Sequence, residues 1–402
     1  MDQPSHAGQA ASLLMVAAEA SGDQHGAVLV RALRERFPQL QVYGLGGDYM
    51  RAAGVETLFD VQALNVVGVV EILAKVPSGL RIAYQLLRAA ARRGTRVAVL
   101  IDAPGFNLTF ARLAKRAGLS VVYYISPQIW AWRQGRVKRV ARYVDKMLTL
   151  FPFEVPFYTA AGVDAEYVGH PLLDRLHHLP APTQAACSLG LDVQTPIVAL
   201  LPGSRLQELR SLLPTMLAAF QRIRQRLPGV QGIIPVAPTL AMDEVQQFLT
   251  HYPIPLTVIS GQSHTALCAA HFALVASGTA TLEAGLIGTP MVIVYRMHPI
   301  TAWLARRVLC IPYIGLTNIV AGRPVVPELL QEALCPQTLA ALALHCLEHP
   351  EVAQYVRQEL ALVRHTLGTG EGARRAAACV GQFLQAAETR AAATVHASRR
   401  DP

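Results

Sequence analysis

The chain reads as an α/β protein built from two Rossmann-like domains, each a parallel sheet covered by helices, and three observations carry that reading. Apolar runs at 12–18, 96–101, 197–201 and 272–276 lack the polar alternation of half-exposed strands, as strands buried on both faces should. Most lead into a turn of small residues and then an amphipathic stretch, the βαβ rhythm of a parallel sheet. The rhythm pauses at Gly169, His170 and Pro171 and at the proline-rich run 179–182, then restarts at Ile197, which marks a hinge between domains. A chain of 402 residues with 52% hydrophobic content can bury two such cores.

In the first half, strands are predicted at 12–18, 41–45, 96–101, 121–125, 146–150 and 165–168. The stretch EASGDQHG at 19–26 reads as a loop, followed by a helix over 27–36. Glu19 in that loop opens on the crevice at the carboxyl ends of the strands, where ligands of such sheets bind. Asp102 stands at the end of the 96–101 strand, before Ala103, Pro104 and Gly105. A carboxylate there suits a general base, and it equally suits a plain turn-former before Pro and Gly. The segment LNVVGVVEILAKV at 64–76 is a dense apolar cluster ending at Pro77. It is either a core helix or an exposed one that dips into a membrane or receives acyl chains. Trp130 and Trp132 either line an apolar or sugar-binding wall or pack inward.

The second half repeats the pattern with strands at 197–201, 231–236, 257–259, 272–276 and 291–295. The first of these runs into Pro202, Gly203, Ser204 and Arg205. Glycine there allows close backbone approach, and Arg205 can neutralise a diphosphate. The 272–276 strand breaks into Ser277, Gly278 and Thr279 and resumes as a helix carrying Glu283. Free N–H groups at the positive end of that helix can hold a phosphate without a metal, and Glu283 can accept hydrogen bonds from both hydroxyls of a ribose. An ordinary strand-to-helix turn with Thr279 or Thr281 as N-cap is the competing reading. Asn318, in the stretch 317–328, brings a polar group back toward the crevice. Helices are predicted at 300–316, 336–348, 352–367 and 373–388. The domains are therefore set at 11–172 and 185–345, with carboxyl-terminal helices over 346–388 that pack back on the first domain or exchange between subunits. A disordered tail is expected over 389–402.

Composition narrows the function classes. Between Arg81 and Lys146 fourteen Lys and Arg residues face only Asp102 and Asp145, within a net charge of +9. Such a basic face suits anionic headgroups or phosphorylated substrates, or is a solvated helix surface. No nucleic-acid-binding motif accompanies it. The lack of a full G-x-G-x-x-G fingerprint argues against a dinucleotide dehydrogenase. Six scattered cysteines with no C-x-x-C pair read as reduced thiols in a cytosolic protein. The amino terminus lacks a signal-peptide pattern, and no apolar stretch is long enough to span a bilayer. A mean hydropathy of +0.31 nonetheless predicts some apolar surface.

Several long motifs together resemble the lipid-A-disaccharide synthase family, glycosyltransferases of the GT-B architecture with two Rossmann-like domains facing across a cleft. They are AAEASGD at 17–23, IDAPGFN at 101–107, SPQIWAWR at 126–133, FPFE at 151–154, GHPLLD at 169–174, LLPGSRLQE at 200–208, SGTATLEA at 277–284 and TNIVAGRPVVPELLQ at 317–331. The resemblance spans about 12–385. It implies transfer of 2,3-diacylglucosamine from UDP to the 6-hydroxyl of 2,3-diacylglucosamine 1-phosphate, with inversion. It places UDP in the second domain, with Gly203, Ser204, Arg205, Ser277, Gly278 and Thr279 around the diphosphate, Glu283 on the ribose and Asn318 nearby. The acceptor falls in the first domain, with Asp102 as candidate base and Glu19 as the next. No D-x-D pair is present, so a helix dipole and arginine are expected to stabilise the diphosphate without a metal or other cofactor. The implied setting is the cytoplasmic face of the inner membrane, reached peripherally at an anionic surface, and a homodimer through the carboxyl-terminal helices is compatible. The chain departs from the pattern at Gly105, where many members carry Asp. Rival readings are a UDP-sugar 2-epimerase, a glycosyltransferase of peptidoglycan precursors, and a non-catalytic UDP-sugar-binding membrane protein.

Overall fold

The computed structural model describes residues 11–63, 69–252, 254–308 and 310–398, at 69–76, 300, 304–306 and 391–398 for the backbone alone. It divides into two compact units, Met1–Pro171 with Gly370–Pro402, and Leu172–Thr369.

The first unit is built on strands β1 (Ser12–Ala17), β2 (Gln41–Gly46), β3 (Glu56–Asp60), β4 (Val97–Ile101), β5 (Ser120–Tyr124), β6 (Lys146–Thr149) and β7 (Ala165–Tyr167). They pair in the order β3-β2-β1-β4-β5-β6-β7, and every pairing is parallel. Leu14, Val16, Leu100, Val121 and Tyr123 pack with Ile82, Leu86 and Phe110 of the covering helices. Each fully buried large side chain of this kind contributes about 1.5–3 kcal/mol.

The expected loop at 19–26 is instead helical, within Ala20–Arg36. Its small residues explain why. A Cβ on Gly22 would touch Ala17, and one on Gly26 would lie 2.7 Å from the Met50 sulfur, so glycine lets this helix close directly onto the strand ends. The helix expected to stop at Pro77 runs on, from Val69 to Arg92. Proline forfeits one helical hydrogen bond, but the turns beyond it bury Ile82, Ala83 and Leu86, which outweighs that loss. Residues 64–68, and the side chains of 69–76, lie outside the described residues, and with them the apolar cluster. The last helix is Gly372–Ser398, so the expected disordered tail is helical as far as Ser398, and 399–402 lie outside the described residues. This helix joins the first unit through Arg375 Nε, which donates to the Val168 carbonyl at 2.7 Å, and Cys379 Sγ, which donates to Glu166 Oε1 at 3.1 Å.

The second unit contains β8 (Ile197–Leu201), β9 (Gln231–Val236), β10 (Leu256–Ser260), β11 (Phe272–Ala276), β12 (Met291–Tyr295) and β13 (Glu328–Leu330). The order is β10-β9-β8-β11-β12-β13, again parallel. Val198, Leu200, Leu274, Val292 and Val294 pack against Leu212, Met216 and Phe220 of the helix Leu206–Arg226. Strands β3 and β13, absent from the sequence reading, are both edge strands, short and part-polar. In each sheet the chain reverses its direction of winding once, between β1 and β4 and between β8 and β11. Such a switch point leaves a crevice at the carboxyl ends of its two strands.

Candidate active site

Glu19 follows β1 and Asp102 follows β4, so both candidate acids of the first unit flank its switch point. Asp102 and Ala103 both adopt left-handed backbone conformations, with φ of 47° and 46°, each costing on the order of 1–3 kcal/mol for a residue with a side chain. That turn is pinned from three sides. Asn107, fully buried, donates through Nδ2 to the carbonyls of Ile101 at 2.9 Å and Asp102 at 2.8 Å. The Tyr123 hydroxyl donates to the same Asp102 carbonyl at 2.5 Å. The Asp102 N–H reaches the Tyr124 carbonyl at 3.1 Å. With its main chain so held, burial pushes the Asp102 carboxyl up to about 6, and the negative charge of Glu19 adds to the shift. The carboxyl is thus ionised at neutral pH yet far more basic than an exposed aspartate.

Motif residues around this centre serve as its frame. Asp23, buried, accepts hydrogen bonds from the N–H groups of Gly47, Tyr49 and Met50 at 2.7, 3.0 and 3.0 Å, fixing the loop after β2. Glu154, 1% exposed, accepts from Ser126 Oγ, from Trp130 Nε1 at 2.9 Å, and from the N–H groups of Leu150 and Phe151 at 3.2 and 3.0 Å. Burial raises its pKa to about 7 against those four donors, which favour the charged form. Trp130 is therefore a packed residue, and Trp132, 43% exposed with Arg133 over its ring, is the one left at the surface.

In the second unit a pocket of about 360 Å³ lies at the other switch point, and it gathers Gly203, Ser204, Arg205, Ser277, Gly278, Thr279 and Glu283. The helix Thr279–Ile287 begins there with Gly278 as N-cap and no side chain capping it. Neither Thr279 nor Thr281 caps it. Thr281 instead turns its hydroxyl to the Gly278 carbonyl at 2.8 Å, and Ser277 Oγ donates to the Ile314 carbonyl at 3.1 Å. The amino end of the helix thus faces the pocket with main-chain amides that no side chain caps, the arrangement that receives phosphate.

The loop after β8 is arranged differently from the expectation. Glu208 Oε2 already accepts from the N–H groups of Ser204 and Arg205 at 3.0 and 3.3 Å. Its other oxygen accepts from Arg205 Nη1 at 3.0 Å. Glycine is required at 203, because φ is 107° and a Cβ would sit 2.3 Å from Glu208 Oε2. The Arg205 side chain, 79% exposed, remains available as a cation at the pocket rim. Glu208 was missed from sequence: it stands three residues after the N-cap, the acceptor half of a capping box, but the N-cap is Arg205 and not Ser or Thr.

Asn318 does not line this pocket. It is fully buried, with Oδ1 accepting from the N–H groups of Val325 and Val326 at 2.9 and 3.1 Å. Its Nδ2 donates to the Val326 carbonyl at 2.8 Å and to Glu328 Oε1 at 2.9 Å. Every polar atom of the amide is spent in pinning the 318–328 turn. The neighbouring Thr317 donates to the Thr281 carbonyl at 2.6 Å, so this motif braces the phosphate-facing helix from behind. His264, also missed, lies against the pocket's ribose candidate, its Nε2 3.3 Å from Glu283 Oε2.

Comparisons with known proteins agree with this geometry. The family model described as lipid-A-disaccharide synthetase matches residues 13–381. The chain is 44% identical to the lipid-A-disaccharide synthase of Trichlorobacter lovleyi over 378 residues, covering 94% of this chain and 99% of that one. Among solved structures, the calicheamicin glycosyltransferase CalG4 matches with a TM-score of 0.59 at 17% identity, over 93% of this chain and 98% of that one. The UDP-GlcNAc 2-epimerase from Neisseria meningitidis, bound to UDP-GlcNAc, matches with a TM-score of 0.61 at 10% identity, over 93% and 100%. At such identities the structural likeness speaks for the GT-B fold alone; the family is set by the sequence match, and the chain belongs to the lipid-A-disaccharide synthases.

Proposed function

We propose that the two switch points divide a single glycosyl transfer between them, the first unit activating the acceptor alcohol and the second holding the departing nucleotide. As a family member the chain transfers 2,3-diacylglucosamine from UDP to the 6-hydroxyl of 2,3-diacylglucosamine 1-phosphate and releases UDP. In the proposed mechanism the Asp102 carboxylate takes the proton of that hydroxyl. The freed oxygen forms a bond to the anomeric carbon as the bond to UDP breaks, the electron pair leaving on the β-phosphate, and the new linkage is inverted to β. The observation that carries this reading is a carboxyl raised to about 6 on a strained, pinned turn at a switch point. A base is most useful when its pKa approaches the working pH. Glu19 takes no proton in this scheme; its charge helps to make Asp102 basic.

The departing diphosphate is received by the uncapped amides of Gly278 and Thr279 and by Arg205, and the ribose hydroxyls by Glu283. Main-chain amides and a guanidinium stabilise a diphosphate without a metal ion. Full turnover after exhaustive treatment with EDTA supports that assignment, and loss of turnover restored by a divalent ion overturns it.

We further place the enzyme at an anionic membrane surface on the cytoplasmic side. Among the described residues no helix is long and apolar enough to cross a membrane. The helix Val69–Arg92 exposes Leu80 and Tyr84 alongside Arg81 and Arg88, a pairing of apolar and cationic groups suited to an acylated, phosphorylated substrate. A homodimer by exchange of Gly372–Ser398 belongs to the same reading. The helix follows a turn in which Gly368, Gly370 and Glu371 all have positive φ, the kind of joint where exchange takes place. The deciding assay supplies both acylated glucosamines in detergent micelles and follows the disaccharide by mass. Release of UDP with formation of the disaccharide is expected, and UDP binding without release would overturn the catalytic reading.

A further inference from the structure

Glu283 is held in a way that ribose recognition alone does not require. It lies in the helix Thr279–Ile287, on the pocket, with its side chain 16% exposed. His264 approaches it from a separate element, the short helix Ser263–Ala269, with Nε2 3.3 Å from Glu283 Oε2. The chain reaches that helix through Gly261 and Gln262, both in the left-handed region, with φ of 65° and 55°. Glycine takes such a conformation freely, whereas glutamine does so at a cost of on the order of 1–3 kcal/mol. The turn is anchored to the sheet by the Gly261 N–H, which donates to the Val236 carbonyl at 2.7 Å. The strain at Gln262 directs Ser263 to the pocket wall and His264 onto the carboxylate.

A carboxylate on a helix has free rotation about its last bonds unless one oxygen is tied. We propose that His264 is a positioning residue for nucleotide binding: its Nε2, 3.3 Å from Oε2 of Glu283, holds that oxygen and leaves Oε1 to accept from the ribose hydroxyls. The inference deepens the proposed UDP site and rests on the assignment of Glu283 to the ribose. Discrimination between a ribonucleotide and its deoxy counterpart then depends on two residues, one touching the sugar and one aiming the first. A neutral His with Nδ1 unprotonated and a protonated His both supply the Nε2 donor, so positioning survives a change in the charge of the ring.

The test measures binding of UDP and of 2′,3′-dideoxy-UDP to the full chain by calorimetry. Hydrogen bonds to a charged carboxylate predict that the native chain prefers UDP by about 10-fold or more. Glu283→Ala should bring the two ligands to parity. His264→Ala should cut the preference to about a third of its native value or less, leaving dideoxy-UDP binding unchanged. His264→Gln, whose amide nitrogen can stand in for Nε2, should recover most of it. A native preference retained in His264→Ala, or equal weakening of both ligands with no change in their ratio, overturns the positioning role while leaving Glu283 on the ribose. A native preference retained in Glu283→Ala overturns the ribose assignment itself, and the inference with it.

Discussion

At the first unit's switch point the carboxyl end of β4 carries a half-buried acid on a strained turn, whereas at the second unit's the carboxyl end of β11 opens onto main-chain amides that no side chain caps. Both sheets reverse their winding between strands whose ends lie side by side. The topology therefore supplies each unit with a crevice and nothing more. What differs is where the local sequence spends its polar atoms. Around Asp102 the buried groups, Asn107 and the Tyr123 hydroxyl, bond to main-chain carbonyls and not to the carboxyl, whose desolvation outweighs the hydrogen bond it accepts from the Ala103 N–H. Around Gly278 the hydroxyls of Ser277 and Thr281 turn away to carbonyls and leave the amides open. One arrangement perturbs a titrating group and the other presents fixed dipoles, the two physical requirements of activating a nucleophile and accepting a leaving group.

The sharpest way to break this contrast is Asp102→Asn. Loss of the base should lower kcat by about a hundredfold or more while the affinity for UDP, set in the other unit, stays unchanged. In the native enzyme kcat/KM should fall on the acid side with an apparent pKa of about 6. Unchanged turnover, or a parallel loss of UDP binding, would remove the division of labour. The same substitution tests the origin of the shift. A carboxyl raised from 3.8 to about 6 in the folded chain binds its proton more tightly than the unfolded chain does. Its favourable contribution is therefore complete below pH 3.8 and is lost as pH rises through about 6. Above that window the ionised group costs about 2–3 kcal/mol, which Asn does not incur. The variant should accordingly melt higher than the native protein at pH 7.5, with a smaller difference at pH 4. A gain independent of pH would show that the carboxyl is not desolvated.

The contrast also marks what could be read from sequence. The placing of Asp102 and of the two glycine-rich turns at strand ends was legible because each follows an unbroken apolar run, and ligands of a parallel sheet bind at such ends. Asn318 was misread because a polar residue in a motif resembles a ligand-facing one; its four hydrogen bonds come from a turn closed only in three dimensions. Glu208 was legible only in part, from its spacing to Arg205. His264 was not, since its partner lies nineteen positions away on another helix. The helical start at Ala20 escaped because glycine lowers helix propensity locally, while here the absence of side chains at Gly22 and Gly26 is what permits the packing.

Next in size is Asn107→Ala, which removes two of the hydrogen bonds that hold the Asp102 turn and leaves two carbonyls without that donor. A loss of about 1–3 kcal/mol in stability is expected. If the strained turn positions the base, kcat should also drop by about tenfold with KM for the UDP-sugar unchanged. A stability loss without a change in kcat would reduce Asn107 to scaffold.

The smallest expected effect is at Gly105, where the resemblance described above leads one to expect Asp. A Cβ there meets nothing within 4 Å, so Gly105→Asp should fold. The position is the second residue of the helix Pro104–Arg116, and an acid so near the positive end of the dipole adds about 0.3–1 kcal/mol of stability. The new charge also lies three positions from Asp102, and like charge disfavours the ionised form. The acid limb of kcat/KM should therefore move to higher pH, by less than about one unit, while turnover above pH 8 holds. An immobile limb would mean that this acid is not coupled to the base, and that burial with Glu19 is enough to set its pKa.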